Sequence, residues 1–536
     1  MATREVINLS GFDLTPQDLF KLSTGHTRID FSKECIDRVV SSRKVITDIV
    51  ASNKVVYGVN TGFGLFQNVV VTEDQTIELQ ENLIRSHAAG VGEPLRKETT
   101  RMMLALRINI LCKGFSGISK ENLLKMKEAF NNDCIPVVPR QGTVGASGDL
   151  APLSHIALSL MGESEMWDET GKEKLCSKEV LRSKGCEPIK LGAKEGLAMI
   201  NGTQLITSIG CEALIRSENI IKQAIIVAAL SCEALFGTAR AFNPHIHNAR
   251  PHFGQKYVAE FLRKLLPPSI KDDNFDKLVE GDMLYSELKM STGKAKEATQ
   301  DAYSLRCTPQ VYGISYDTVQ FARSILEIEI NSATDNPMVI QELNETMSGG
   351  NFHGEYPAKA CDYLAIGVQE IGQMSERRLE RMCNPACSEK TAYLPAFAIR
   401  NGGLNSGFMI AHCTAAALVS ENKVYSHPAS ADSISTSAAQ EDHVSMGGMA
   451  ARKALKVVEN IEYVIAIEML CALTCLDLHG KATTKPLQAV WDYVRREIPS
   501  YDKDRYIKPE IEKAAEMLRN ADILRICGEV LGKDMM

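Results

Sequence analysis

No run in this chain is both long and apolar enough to cross a bilayer. Ala224 to Leu230 is too short, and Ile461 to Leu476 is interrupted by Glu462 and Glu468, so no membrane is expected as a partner. A basic excess is also missing. The formal net charge is −7, the wrong sign for nucleic acid. The first residues, Met1 to Glu5, lack the apolar core of a secretory signal, and the expected compartment is the cytoplasm. There is no phosphate-binding loop of the Gly-x4-Gly-Lys-Ser/Thr type. Glu93-Pro94-Leu95 after Gly90-Val91-Gly92 breaks a dinucleotide fingerprint. Low-complexity linkers and internal repeats are absent as well.

Metal sites are not expected either. Cys471, Cys475 and His479 share a helical face, but their neighbours are uniformly apolar and read as core. His245, His247 and His252 lack a matching carboxylate or thiolate. The fifteen cysteines are scattered along the chain and read as reduced, mostly buried thiols.

What is present is helical periodicity in a soluble chain of 536 residues, 44% hydrophobic and 24% charged. Apolar residues from Ala454 to Leu476 keep three-to-four spacing, and Gln204 to Phe242 is apolar over more than one stripe, as in a helix surrounded by others. Phe321 to Ile330 continues the pattern until Asp335-Asn336-Pro337 stops it. The best strand candidates are Val55 to Val59 and Ile135 to Val138, the second weakened by Pro136. The expected fold is mainly α: a long central helical bundle with a loop-rich N-terminal part that carries the active-site turn. Three segments are expected: 1–200 loop-rich, 201–485 the bundle, and 486–536 a tail of shorter helices, with Thr483-Thr484-Lys485-Pro486 as the break.

The run Gly142-Thr143-Val144-Gly145-Ala146-Ser147-Gly148-Asp149-Leu150 is the most informative. Its residues are small, and Gly145 and Gly148 tolerate backbone angles closed to others. Attack of the Gly148 nitrogen on the Ala146 carbonyl carbon, with loss of water and dehydration of Ser147, gives an imidazolone with an exocyclic methylene. That product is an electrophile. A turn leading into a helix, with Ser147 or Asp149 as N-cap, is the alternative.

The flanks of this run resemble the ammonia-lyase family whose members carry a methylidene-imidazolone group. They are Val138-Pro139-Arg140 before it and Ala151-Pro152-Leu153-Ser154-His155 after it. Further segments match in the family's order: 57–64 (Tyr57 to Gly64), 86–92, 195–203, 300–307, 348–353 and 440–446. The resemblance implies a 4-methylidene-imidazol-5-one formed in place from Ala146, Ser147 and Gly148, with no external cofactor. It makes Tyr57, in a Gly-rich loop suited to a lid, the base that takes the β-proton. Arg306 becomes the bidentate anchor for a substrate carboxylate, where local sequence alone also allows an ordinary salt bridge. Tyr303 and Gln300 line the electrophile. Asn201 donates to the imidazolone or orients the amine, and Phe352 packs on the substrate ring.

Two positions address the substrate. His87 resembles histidine- and tyrosine-using members, where phenylalanine-specific ones tend to be apolar. Glu441 separates the first two, because phenylalanine and tyrosine enzymes usually have Asn-Gln-Asp where this chain has Gln440-Glu441-Asp442. A carboxylate pairs with an imidazole N–H, and a phenyl ring offers no such donor. The expected reaction is elimination of ammonia from L-histidine to trans-urocanate. The resemblance implies a homotetramer in which several subunits build each site. A tyrosine or phenylalanine ammonia-lyase, an aminomutase, and a non-catalytic relative remain the alternatives.

Overall fold

The structure is a computed structural model, and it describes residues 5–52, 54–72, 75–266, 300–388, 392–480 and 483–532. Helices dominate. The long ones are Gln204–Ala234, Thr308–Glu329, Glu355–Cys383 and Gly447–His479. Strands among the described residues form two-stranded sheets, of which Val91–Pro94 with Pro139–Gln141 lies beside the active-site turn in sequence.

By contacts the chain forms two compact units that interleave in sequence. One comprises Met1–Ile215, Ala322–Asp362 and Pro428–Leu455. The other comprises Arg216–Phe321, Tyr363–His427 and Lys456–Met536. The second unit contains the buried bundle. Its four long helical segments meet at one ion pair, Arg378 with Glu468, both fully buried. Glu468 also accepts from Ser231 at 2.6 Å. Arg378 donates to the Tyr312 hydroxyl at 2.6 Å and to the Ser304 carbonyl at 3.2 Å. A buried pair gives little net stability, but removing one partner strands the other charge. Its effect here is geometric: it fixes the backbone of the one-turn helix Tyr303–Arg306.

Three boundaries differ from expectation. The helix from Gln204 stops at Ala234 because Phe236 takes φ +51° and Gly237 folds back on the Cys232 carbonyl; a 3-10 turn then covers Ala239–Phe242. Residues 55–59 are not a strand: Asn60 Oδ1 accepts from the Val56 amide, which closes a turn instead. At 135–138 only Pro136 forms an isolated bridge, since proline has no N–H for a ladder. Around 483–486, Thr484 is the N-cap residue of the helix Lys485–Glu497, without a side-chain capping bond, and Pro486 stands in its first turn.

Candidate active site

The first unit builds the turn. Gly148 has φ +72°, and a Cβ there would lie 2.2 Å from the Gly202 carbonyl oxygen, so only glycine fits. Gly145 has φ +71°, and its added Cβ would lie 2.1 Å from Ser445 Oγ. The turn is thus held against two other segments. Asp149 N donates to Gly202 O at 2.6 Å, and Met446 N donates to Val144 O at 2.8 Å. Inside it, the Thr143 hydroxyl spans to the Gly148 carbonyl at 3.1 Å.

The two atoms required to join are free. Neither the Ala146 carbonyl nor the Gly148 amide makes a hydrogen bond among the described residues, although both residues are buried. Buried backbone groups are rarely left unpaired. A small Ala, a serine with its hydroxyl turned to Glu441 and a Gly pressed on a carbonyl fit the implied imidazolone. Neither Ser147 nor Asp149 caps the helix Leu150–Leu160 with its side chain. Asp149 Oδ2 instead accepts from the Leu205 and Ile206 amides at 2.9 and 3.0 Å, the start of a different helix. Burial pushes the Asp149 carboxyl up to about 7, against the pull of those amides.

Ser147 Oγ donates to Glu441 Oε1 at 2.9 Å. Tyr57 and His87 lie within the field of the same carboxylate. Burial raises the Tyr57 phenol above its ordinary range; the Gly64 amide, donating to its oxygen at 3.4 Å, opposes this and the Glu441 charge adds to it. Burial lowers the His87 imidazole, opposed by the Leu83 carbonyl and by Glu441, so the ring is held neutral near pH 7. His87 ends the helix Thr76–His87, which packs on Leu150–Leu160 and Glu195–Ile200. The Gly90 amide, donating to His155 Nε2 at 3.0 Å, ties the following loop to the helix after the turn.

Asn201 ends the short helix Glu195–Ile200 and does not cap the next one. Its Nδ2 donates to the Asn336 carbonyl at 3.2 Å, while its buried Oδ1 has no partner among the described residues. An unpaired buried oxygen beside the turn's Gly202 contact is suited to an incoming N–H donor. Asn336 Oδ1 accepts from Gly349 N at 2.8 Å, which joins Asn201 to the loop bearing half-buried Phe352.

Beneath these lies Arg107, which was not among the expected site residues. It is fully buried and donates to the Ala198 and Asn201 carbonyls and to Gln204 Oε1. Burial lowers its guanidinium to about 10, so it remains charged near neutrality. Its position amid the apolar-rich helix Lys97–Leu111 was the available signal, since a charge there demands partners.

The second unit holds the other expected residues. Gln300 and Tyr303 are exposed. The Arg306 guanidinium lies 4.6 Å from the Tyr303 ring centroid, and its Nε donates to the Asp301 carbonyl at 2.9 Å. No carboxylate pairs with Arg306 among the described residues, which leaves the outer edge of its fork for a ligand. His247 bonds Gln255 and the Ala241 carbonyl, and His479 bonds the Ala234 carbonyl and stacks on Phe236. Among the described residues no group of three or more His, Cys, Asp or Glu is arranged to hold a metal.

Residues 14–496 match the family described as aromatic amino acid lyase. The chain is 53% identical to histidine ammonia-lyase of Bos taurus over 532 residues, 99% of this chain and 78% of that one. It is similar to the crystal structure of histidine ammonia-lyase from Trypanosoma cruzi, with TM-score 0.88 and 49% identity, covering 99% of this chain and 96% of that one. A tyrosine aminomutase structure from Streptomyces globisporus has TM-score 0.89 at 35% identity, covering 98% of each chain.

Proposed function

The chain belongs to the aromatic amino acid lyase family and is a carbon–nitrogen lyase; we propose that its reaction is the non-oxidative elimination of ammonia from L-histidine to trans-urocanate. The observation that carries this reading is the 2.9 Å bond from Ser147 to Glu441. It supports a carboxylate standing beside the electrophile, where an imidazole N–H reciprocates and a phenyl ring does not. A carboxylate facing a phenyl substrate would be desolvated without a partner.

Ala146, Ser147 and Gly148 would supply the 4-methylidene-imidazol-5-one, whose electrophilic methylene gives the electron sink that standard side chains lack. No metal and no external cofactor is assigned. Tyr57 removes the β-proton of the substrate from a Gly-rich loop suited to a lid. His87 stays neutral and offers a ring nitrogen to the polar substrate. Asn201 Oδ1 accepts from the substrate amine. Arg306 grips the substrate carboxylate in bidentate fashion, Gln300 and Tyr303 line the electrophile, and Phe352 packs on the imidazole.

We assign a homotetramer in which several copies contribute to each site. The helix Thr308–Glu329 supports it: Ile314, Phe321 and Ile328 are 57%, 47% and 69% exposed at seven-residue spacing, a stripe suited to another helix. Among the described residues no helix is long and apolar enough to cross a membrane. The cytoplasm is the assigned compartment, and all fifteen cysteines being free thiols suits a reducing one.

Steady-state rates with histidine, tyrosine and phenylalanine test the reading. Histidine is expected to give the highest kcat/KM, and Glu441→Gln to lower it by roughly tenfold or more, the cost of a charged hydrogen bond. Faster turnover of tyrosine than of histidine would overturn the substrate assignment.

A further inference from the structure

The carboxylate of Glu441 is held from behind, and the device that holds it is built from strained backbone. Thr436 Oγ1 and Ser437 Oγ both donate to Glu441 Oε2, each at 2.8 Å. Thr436 and Glu441 also pair through their backbones in both directions, at 2.9 and 3.3 Å. Six residues are thereby closed into a ring. Within it Ser437, Ala438 and Ala439 take φ of +53°, +54° and +65°. Three consecutive left-handed residues bearing a Cβ are rare, because each brings Cβ against a carbonyl oxygen. Such strain persists where the surroundings over-determine it. Here the left-handed turn is what carries the Ser437 hydroxyl back to the residue four places on.

The two carboxylate oxygens therefore have separate duties. Oε2 receives both hydroxyls of the turn, and among the described residues Oε1 receives only Ser147. Dehydration of Ser147 removes its Oγ as water and with it the donor to Oε1. The clamp on Oε2 is untouched by that loss, so Oε1 keeps its aim and is left with one vacant place for an N–H donor. The same turn packs against Gly64–Phe66 of the tyrosine loop, so the clamp and the loop over the site brace one another.

We propose that Thr436 and Ser437 are positioning residues for histidine recognition: they fix Glu441 so that Oε1 meets the substrate imidazole. This rests on the reading of Glu441 as the imidazole ligand. The test compares two inhibitors, urocanate and cinnamate, in which a phenyl ring replaces the imidazole. Thr436→Val, Ser437→Gly, the double variant, Thr436→Ser and Glu441→Gln are each assayed, and the mass of the peptide spanning residues 140–155 reports whether the electrophile has formed. Ser437→Gly deletes the hydroxyl while relieving the left-handed backbone, so it separates the clamp from simple loss of fold.

The expected result is a rise of about tenfold in the urocanate inhibition constant for the double variant, carried by KM more than kcat for histidine. The cinnamate constant stays within about twofold, the peptide mass is that of the cyclised form, and Thr436→Ser behaves as the parent. Equal weakening of both inhibitors, or Thr436→Ser as damaging as Thr436→Val, overturns the inference. So does unchanged urocanate inhibition in Ser437→Gly and the double variant while Glu441→Gln weakens it. If Glu441→Gln leaves urocanate inhibition unchanged, the underlying reading of Glu441 fails instead.

Discussion

Tyr57 is asked to act as a base while burial and the Glu441 charge both hold its proton on. The proposed role and the raised pKa are compatible, because a strong base in small supply still removes a weakly acidic proton. They fix a sign. In the proposed role the active form is the phenolate, and the folded-state pKa of the phenol is raised. The rate kcat/KM with histidine should therefore climb with pH through the neutral and mildly alkaline range, by up to ~tenfold per unit while the phenol remains mostly protonated. Tyr57→Phe should remove this limb and lower kcat/KM by roughly 10²-fold or more. A pH-independent rate for the parent in that range would remove Tyr57 from the role. His87 shows what local sequence conceals. Its type was legible, but its neutrality comes from burial at the end of a packed helix, which a one-dimensional reading does not contain.

At the scale of elements, the turn is shaped by contacts distant in sequence. Gly148 rests on Gly202, Gly145 on Ser445, and Asp149 caps the helix Gln204–Ala234. Gly148→Ala should cost about 1–2 kcal/mol for the left-handed backbone alone, before the clash with the Gly202 carbonyl is counted. Its expected signature is a lower Tm together with a peptide 140–155 that retains its uncyclised mass. Unchanged melting and normal cyclisation would show that the turn does not depend on this close approach. The glycines and the small residues were readable as a special turn. Their partners were not, because nothing in 142–150 indicates which carbonyl presses on it. The same holds for Ser437 to Ala439, where no glycine or asparagine announces three left-handed residues. Long helices were legible because their periodicity is local, whereas the supposed strand at 55–59 yielded to a hydrogen bond that the Val56 amide donates to the Asn60 side chain.

Over the whole molecule, two compact units interleave along the chain. A reading of consecutive segments has no means of expressing that arrangement, since contacts rather than chain order define it. Buried charges do the joining within each unit: Arg378 with Glu468 in one, and Arg107 on the Asn201 carbonyl in the other. Each anchors backbone next to residues assigned to the reaction, the short helix with Arg306 and the stretch from Asn201 to Gly202. The family pattern, read along the sequence, named the residues proposed for the reaction but not these supports.

The central claim is that this protein makes its own electrophile from Ala146, Ser147 and Gly148. The most direct measurement is the mass of the peptide spanning residues 140–155 from the intact, active protein, with Ser147→Ala as the comparison. The parent peptide should be lighter than its sequence by two waters, one from ring closure and one from Ser147, and the inactive Ser147→Ala peptide should lack the Ser147 dehydration. A parent peptide of full mass in a protein that turns over histidine would contradict it.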